Sequence, residues 1–387
     1  MEARLRPKLS QARSRAMTAF YHELRALFRR PQLLTAITLL TTVFGTTTAL
    51  QGAETAEMKV ERIIGPEIKT GQYKHPSCVT ELDNGDLYLT YYGGDGEYSQ
   101  DTAVFASRLV KGTNKWTHPV AIARNPFQSM GNPVVWQAPE GRLWLFYVVR
   151  FGATWSTSRI MAKISDTRGE SWSDAFLISL EEGTMVRGRP IRTSAGNTIL
   201  PIYHETGSDT EKTGADTSSL FLIFDPKTKQ WQRSNKVYSR MGNLQPAVVE
   251  LDPGHLLAYC RRGGDYEPGD DGYVVKTEST DGGFTWSQGE ETEFPNPNAA
   301  VELIKLKSGN LLFVYNHSMD DRTPLTVALS RDHGKTFPVK KDLRTGDRSF
   351  AYPTAIQTQD DMIHVFYTTN ERTTICRISF REEALSN

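Results

Sequence analysis

Six polar side chains stand immediately before prolines that recur along the sequence at nearly equal spacing. The prolines are 57, 57, 56, 51 and 56 residues apart, and the residues before them are His75, Asn132, Arg189, Gln245, Asn296 and Tyr352. All six side chains can form hydrogen bonds, so together they offer the polar groups that a polyhydroxylated ligand needs. The pattern predicts a polar binding site, provided that the fold brings the six positions together. The alternative is that these side chains only satisfy backbone groups where strands begin.

Each of these prolines begins a repeated unit of an alternating strand, a turn and a second strand rich in aromatic or branched residues. Turn-forming pairs follow where a hairpin needs them, as at Asn84-Gly85 and Ser308-Gly309. Six such units predict an all-β, six-bladed β-propeller. In a blade, the first strand begins and the second strand ends at the same mouth of the ring. The six polar residues are therefore expected to converge on the central axis.

The last unit is one strand short. After Pro353 the chain has room for only three more strands, at 355–357, 363–367 and 374–380. Residues 58–64 form a spare strand ahead of the first unit, so we expect them to complete the last blade and leave no free sheet edge there. The predicted propeller domain covers residues 58–381.

Charged residues at the ends of the second strands add to the predicted site. Arg261 and Arg262 end the second strand of the fourth unit, and Glu205 ends that of the third. Basic side chains outnumber acidic ones at these ends, and arginine pairs with carboxylate through two parallel hydrogen bonds. The composition of the mouth therefore favours an anionic ligand such as a carboxylated sugar.

A second repeated phrase lies between the units, at 165–172, 279–286 and 330–337, where Ser, Asp or Thr, Gly and an aromatic residue keep fixed spacing. It resembles the Asp-box of the sialidase (neuraminidase) superfamily, in particular its bacterial secreted branch. In that motif the acidic side chain closes a tight turn, glycine takes a positive φ, and the aromatic ring packs between blades. The resemblance therefore implies a structural role for Asp281 and Asp332, and a sialidase-like propeller.

The resemblance also implies roles for residues at the mouth. Superfamily sialidases use three carboxylate-binding arginines, a tyrosine nucleophile and an acidic proton donor. Tyr352 falls where the nucleophile is expected, Arg322 matches the third arginine, and either Arg261 or Arg262 matches the second. The proton donor is expected in the loop 93–101, where both Glu97 and Asp101 are candidates. The implied function is a glycoside hydrolase for a sialic- or uronic-acid-type glycan, without a metal or other cofactor.

Three features depart from the superfamily pattern, and one of them is the acid itself, which stays open between Glu97 and Asp101. Lys74-His75 stands where the first arginine is expected, and Gln245 stands where a glutamate would take the proton of the tyrosine. An amide cannot act as that base, which makes Glu205 the nearest candidate carboxylate. Two alternatives to a hydrolase stay open: a polysaccharide lyase that uses His75 and Tyr352 to move protons, and a propeller that binds glycans without turnover.

The first 53 residues read as an export signal. Residues 1–30 carry eight basic and two acidic side chains, and the uncharged apolar stretch 33–50 follows. An uncleaved membrane anchor at 33–50 is the alternative; either way, we expect a periplasmic or extracellular protein. Since basic and acidic residues balance at 45 each, the remainder is mildly acidic, which excludes a general nucleic-acid-binding surface. The three cysteines sit in apolar runs and are expected to be packed thiols.

Overall fold

The computed structural model describes residues 58–208, 212–267 and 269–385, so the predicted export segment 1–53 and the alternative anchor 33–50 lie outside the described residues. The described chain forms six antiparallel sheets of four or five strands, which confirms the predicted all-β, six-bladed propeller. Helix among these residues is limited to two short 3-10 segments, Trp155–Thr157 and Glu382–Leu385. Neither is long and apolar enough to cross a membrane.

The chain enters the fold through β1 (Lys59–Ile64) and then builds three blades in succession. Blade 1 contains β2 (Tyr73–Glu81), β3 (Leu87–Gly94), β4 (Ala103–Leu109) and β5 (Val120–Arg124). Blade 2 contains β6 (Met130–Gln137), β7 (Leu143–Arg150), β8 (Ser158–Ser165) and β9 (Phe176–Leu177). Blade 3 contains β10 (Thr184–Val186), β11 (Ile191–Arg192), β12 (Thr198–His204), β13 (Ser218–Asp225) and β14 (Gln230–Arg233).

The second half of the chain builds the other three blades. Blade 4 contains β15 (Asn243–Asp252), β16 (His255–Arg262), β17 (Tyr273–Ser279) and β18 (Glu290–Pro295). Blade 5 contains β19 (Glu302–Lys305), β20 (Leu311–Asn316), β21 (Leu325–Ser330) and β22 (Val339–Arg344). Blade 6 contains β23 (Ala351–Gln357), β24 (Ile363–Thr369) and β25 (Thr374–Phe380), with β1 as its outer strand.

The ring is closed by the two ends of the described chain. β1 pairs antiparallel with β25, from Lys59 opposite Ser379 to Ile64 opposite Ile375. The spare N-terminal strand therefore completes blade 6, as the sequence predicted. The outer edge of β25 is thereby paired and not open to other chains.

The blades stack face to face, so their middle strands are buried on both sides. All eight residues of β3 and all seven of β24 are buried, which explains why the second strand of each unit reads as a continuous apolar run. Between blades 3 and 4, Phe221 stacks on Trp286 with ring centroids 3.7 Å apart. Cys78, Cys260 and Cys376 are free and buried, which confirms packed thiols.

The turn at residues 279–286 is closed by one carboxylate. Asp281 Oδ1 accepts hydrogen bonds from Ser279 Oγ at 2.9 Å and from the amides of Phe284 and Thr285 at 3.0 and 2.9 Å. Asp281 Oδ2 accepts another from Thr285 Oγ1 at 2.6 Å. Partial burial would raise the pKa of Asp281, but these donors outweigh it and lower the pKa. The carboxylate therefore serves the turn.

Substitution of Asp281 by alanine is expected to lower the free energy of unfolding by about 1–2 kcal/mol, because several hydrogen bonds to a charged acceptor are lost together. Urea unfolding measures the loss. Asp174→Ala is the matched control, since Asp174 is exposed and offers only a surface charge. Equal losses in the two variants would contradict a structural role for Asp281.

A β-bulge interrupts the first strand of four blades at the residue-proline pair. The register shifts lie between Lys74 and Ser77, Gly131 and Val134, Leu244 and Ala247, and Ala351 and Thr354. Asn132, Gln245 and Tyr352 adopt left-handed backbone with φ of 45°, 54° and 54°. Such a backbone is costly for large side chains, and bulges that re-aim a side chain are frequent at functional sites. The bulges turn these side chains toward the axis.

Candidate active site

All six blades contribute side chains to one cavity of about 350 Å³ at the mouth of the ring. This volume suits a sugar-sized ligand. Eight of the residues singled out from the sequence line it: His75, Glu97, Asn132, Glu205, Gln245, Arg261, Arg322 and Tyr352. The proline repeat and the second-strand ends thus point to the same cavity.

Two of the six residues before prolines do not reach this cavity, so their predicted place at the mouth was wrong. In blade 3 the first strand is broken between β10 and β11, and Arg189 instead lines a second cavity of about 330 Å³, with its Nε 3.8 Å from Glu302. In blade 5 the proline comes too early. Asn296 accepts a hydrogen bond from the amide of Ala299 at 3.0 Å, and Asn298 takes the left-handed position with φ of 53°.

Two other predicted site residues face away from the cavity. Arg262 is next to Arg261 on β16, and adjacent strand residues point to opposite faces. Its Nε donates to the carbonyl of Asn296 at 2.7 Å and its Nη1 to that of Gly263 at 2.9 Å, so it ties backbone segments together. Asp101 accepts the amide hydrogen of Asp95 at 3.1 Å and closes the loop that carries Glu97. Of the two candidate acids in that loop, only Glu97 lines the cavity.

The side chain of Tyr352 forms part of the cavity floor, and its hydroxyl lies between Arg261 and Gln245. It accepts a hydrogen bond from Arg261 Nη1 at 2.9 Å and a longer one from Gln245 Nε2 at 3.5 Å. The guanidinium carbon of Arg322 lies 5.4 Å from the centroid of the Tyr352 ring, and the His75 ring packs edge-on against it at 4.2 Å. Tyr352 is thus fixed by its ring and by its hydroxyl.

These arginines change the acidity of the phenol. Burial alone would raise the pKa of Tyr352, but the charges of Arg261 and Arg322 outweigh it and lower the pKa below its ordinary value. Burial and four nearby arginines hold the pKa of His75 well below its ordinary range, so its imidazole is neutral at pH 7. The floor therefore combines an acidified phenol with an uncharged imidazole.

Arg261 is held by neighbours on every side. Its Nε donates to Asn298 Oδ1 at 2.6 Å, and its Nη1 donates to Gln245 Oε1 at 3.1 Å as well as to Tyr352. Its Nη2 donates to the hydroxyl of Tyr266 at 2.7 Å. The side chain is almost completely buried, with 1% of its surface exposed. Such a network leaves the guanidinium one orientation.

A third arginine, Arg372, lines the cavity from the turn between β24 and β25. Its Nη1 donates to the hydroxyl of Tyr73 at 2.9 Å and pairs with the carboxylate of Glu97. The turn is tied to blade 1 by a backbone hydrogen bond from Lys74 to Arg372, at 2.8 Å. Sequence reasoning missed this residue, although it follows the second strand of its blade, close to the position that Arg261 holds at the end of β16. Arg261, Arg322 and Arg372 together give the cavity three cations.

Glu205 also lines the cavity, and its carboxylate has no hydrogen-bond or ion-pair partner among the described residues. It follows β12, and His204 beside it lies 3.6 Å from Glu181, outside the cavity. Burial raises the pKa of Glu205 to about 7, opposed by the charge of Arg261. A carboxyl group with this pKa can both give and accept a proton near neutral pH.

The raised pKa makes Glu205 a cost to stability at alkaline pH. The folded state binds the proton more tightly than the unfolded chain, so stability falls as pH rises from about 4.5 to 7. Glu205→Gln is therefore expected to raise the free energy of unfolding by about 1–3 kcal/mol at pH 8 and to leave it unchanged at pH 4. Urea unfolding at both pH values measures this, with the exposed Glu170→Gln as control. A gain that does not depend on pH would contradict it.

Aromatic side chains form a platform on one side of the cavity. The guanidinium carbon of Arg150 lies 4.4 Å from the ring centroid of Tyr98 and 5.4 Å from that of Trp155. Arg150 Nη2 also donates to the carbonyl of Tyr98 at 2.8 Å, which anchors the loop that carries Glu97. A flat aromatic face beside polar groups is a common contact for sugar rings. Within the described residues, no group of three or more His, Cys, Asp or Glu side chains is placed to hold a metal ion.

Comparison with known proteins identifies relatives of this chain. The family model of the BNR repeat-like domain matches residues 85–365. A sialidase from Micromonospora viridifaciens is 26% identical over 217 residues, which cover 53% of this chain and 30% of that protein. The match thus spans less than a third of the length of the curated relative.

Solved structures share the fold at lower identity. The Hadza microbial sialidase Hz136 superposes with a TM-score of 0.70 at 17% identity, over 84% of this chain and 69% of the other. The α-L-arabinofuranosidase Arb93A from Fusarium graminearum superposes with a TM-score of 0.60 at 14% identity, over 85% of this chain and 99% of the other. At these identities the likeness establishes the propeller fold alone.

Proposed function

Because the chain belongs to the BNR repeat-like domain family, we propose that it is a glycoside hydrolase acting on a carboxylate-bearing glycan of the sialic- or uronic-acid type. The observation that carries the proposal is the 2.9 Å hydrogen bond from Arg261 to the Tyr352 hydroxyl, in a cavity that two further arginines line. A sugar carboxylate placed among these arginines would bring the anomeric carbon to the phenol.

In the proposed reaction Tyr352 is the nucleophile. The phenol first releases its proton to solvent water; its oxygen then bonds to the anomeric carbon as the glycosidic bond breaks, and Glu205 gives its proton to the leaving oxygen. Water then attacks the same carbon, Glu205 takes a proton from it, and the tyrosyl bond breaks. The pKa of Glu205, raised to about 7, supports this double role. Glu97 is instead engaged with Arg372, which it orients.

The arginines replace the base that Gln245 cannot supply. Since Arg261 and Arg322 lower the pKa of Tyr352, the phenol can form an anion without a neighbouring carboxylate to accept its proton. Gln245 Oε1 accepts from Arg261 and its Nε2 faces the Tyr352 hydroxyl, so the amide holds both groups in register. Asn132 and Tyr203 extend this polar network, with Asn132 Nδ2 donating to Tyr203 Oη at 3.1 Å.

A lyase is the second candidate, favoured by one observation. His75 is buried and neutral, and its ring contacts Tyr352 within an arginine-lined cavity. A neutral imidazole can remove the proton beside a uronate carboxylate whose charge the arginines offset. Elimination would produce an unsaturated uronate that absorbs ultraviolet light, whereas hydrolysis produces a new reducing end without it.

The deciding experiment is a substrate screen with residues 54–387. Sialosides, uronides and neutral glycosides, including arabinofuranosides, are offered in parallel, and both reducing ends and ultraviolet absorbance are followed. Release of an acidic sugar supports the proposal, and release confined to neutral glycosides contradicts it. Binding of an acidic glycan without any release would favour the non-catalytic alternative. The predicted leader supports a further proposal, that the enzyme works outside the cytoplasm, which fractionation of expressing cells tests.

A further inference from the structure

Arg187 is a buried arginine, and it contacts Tyr352 from outside the cavity. It follows β10, and 3% of its surface is exposed. Its Nη2 donates to the carbonyls of Tyr352 at 3.0 Å and Pro353 at 2.8 Å, so the side chain joins blade 3 to blade 6. Arg187 does not line the cavity, so a bound sugar does not touch it.

The charge of Arg187 has no acidic partner among the described residues. No ion pair joins it to a carboxylate there, and its Nε has no hydrogen-bond acceptor. A buried charge without a counter-ion is costly, and hydrophobic side chains would fill the same space at lower cost. The group that gains from this charge is the Tyr352 ring, whose centroid lies 5.6 Å from the Arg187 guanidinium carbon.

The same segment supports the strained backbone of the floor. Both carbonyls that Arg187 contacts belong to the bulge that turns Tyr352 into the cavity, where φ is 54°. The neighbouring Gly188 passes so close to the next bulge that an added Cβ would lie 2.0 Å from the carbonyl oxygen of Pro246. The pair Arg187-Gly188 therefore lies between the bulges that carry Gln245 and Tyr352.

We propose that Arg187 is a positioning residue for Tyr352: it clamps the bulge that aims the phenol, and its charge stabilises the phenolate that attacks the anomeric carbon. The inference rests on the proposed function, because the phenolate matters only if Tyr352 is the nucleophile.

Arg187 differs from the other charged groups around Tyr352 in being out of reach of the substrate. The other titratable or charged side chains around Tyr352 all line the cavity, where a substrate can touch them. They are His75, Glu97, Glu205, Arg261, Arg322 and Arg372. A substrate carboxylate placed among the cavity arginines offsets their charge just when the phenolate is needed. The charge of Arg187 stays uncompensated in the complex, which makes it the cation that continues to act on Tyr352.

The test compares two variants. Arg187→Met removes the charge and the hydrogen bonds, whereas Arg187→Lys keeps the charge but lacks the guanidinium group that donates to both carbonyls. The Tyr352 phenol is titrated by ultraviolet difference spectroscopy, with the Tyr352→Phe protein subtracted. Loss of a buried unit charge near the phenol predicts that the midpoint rises by about 1–2 pH units in the Met variant and moves by less than about half a unit in the Lys variant.

Activity and binding complete the test. We expect kcat to fall about 100-fold in the Met variant and about 10-fold in the Lys variant, while affinity for a carboxylated sugar changes by less than about 2-fold. An unchanged midpoint in the Met variant, or wild-type kcat in either variant, would overturn the proposal. If the Met variant does not fold, the Lys variant decides: a midpoint raised as far as loss of charge predicts overturns the role of the charge.

The titration also separates this inference from the proposed function. It needs no turnover, so a raised midpoint in the Met variant supports the electrostatic role of Arg187 even in a protein that releases no sugar. Absence of turnover in the wild type with that titration result would count against the hydrolase alone.

Discussion

Replacement of Tyr352 by phenylalanine is expected to lower kcat for release of the acidic sugar on the order of 10³-fold or more. The substitution removes one oxygen atom and keeps the ring that His75 and Arg322 contact. Without that oxygen no covalent bond to the anomeric carbon can form. Affinity for a carboxylated sugar should persist, because the three cavity arginines are unchanged. Single-turnover kinetics together with calorimetric binding measure the two quantities separately.

Tyr315→Phe is the matched control for this loss. Tyr315 is fully buried in blade 5, and its hydroxyl has no hydrogen-bond partner among the described residues. Removal of that hydroxyl should leave kcat at the wild-type value and stability the same or slightly higher. A Tyr352→Phe protein that keeps a tenth or more of the wild-type kcat would contradict a nucleophilic Tyr352.

Replacement of Arg261 by lysine is expected to lower kcat/KM about 10²- to 10³-fold. Lysine keeps the charge but cannot donate at once to Asn298, Gln245 and Tyr352, as the guanidinium does. The loss should appear in both KM and kcat, because the same group holds the substrate carboxylate and the phenol. Steady-state kinetics and the affinity for a free carboxylated sugar provide the two readouts.

The neighbouring arginine is the control for this second prediction. Arg262→Lys makes the same chemical change one position along β16, on the face that holds the backbone near Asn296 and Gly263. It should reduce stability and leave the affinity for the carboxylated sugar unchanged.

A sharper comparison uses a pair of ligands, one with a carboxylate and one with a hydroxymethyl group in its place. The effect of Arg261→Lys on KM should largely vanish for the neutral ligand, whereas its effect on kcat, which comes from the contact with the phenol, should persist. Equal effects on KM for the two ligands would argue against carboxylate recognition.

The fold was predictable because each blade begins with a regularly spaced proline followed by alternating apolar and polar residues. Six evenly spaced prolines and one spare strand were enough for a ring closed by β1. Tyr352, Gln245 and Asn132 followed, because in their blades the residue before proline occupies a bulge that faces the axis. In these three blades the residue type next to the proline therefore predicts which side chain faces the cavity.

The failures occur where proline and bulge separate. Arg189 precedes a proline that lies in the break between β10 and β11, and Asn296 precedes one that lies directly before the left-handed Asn298. Which of Arg261 and Arg262 faces the cavity depends on strand register, because a shift of one residue exchanges the two faces of the strand. The neighbouring sequence does not distinguish the two arginines.

Two arginines escaped notice for different reasons. Arg372 lies in a turn where Asn370, Glu371 and Arg372 all adopt left-handed backbone, an arrangement without a strong residue signature. Arg372 nevertheless lies just after β24, and the sequence predicts that second strands such as β24 end at the mouth of the ring. Arg187 stands two residues before the pre-proline Arg189. Only the contact of its side chain with another blade reveals what it does.

Closure of the ring by β1 sets the order in which the protein can mature. The first strand of the described residues pairs with the last one, since Lys59 lies opposite Ser379, 320 positions further on. Tyr352 and Arg372 both belong to this final blade. Five blades can accumulate during synthesis, but the cavity lacks its floor until the strands of blade 6 have been made. A chain that stops before blade 6 therefore lacks Tyr352 and Arg372, and the complete cavity arises in the same step that pairs β1 with β25.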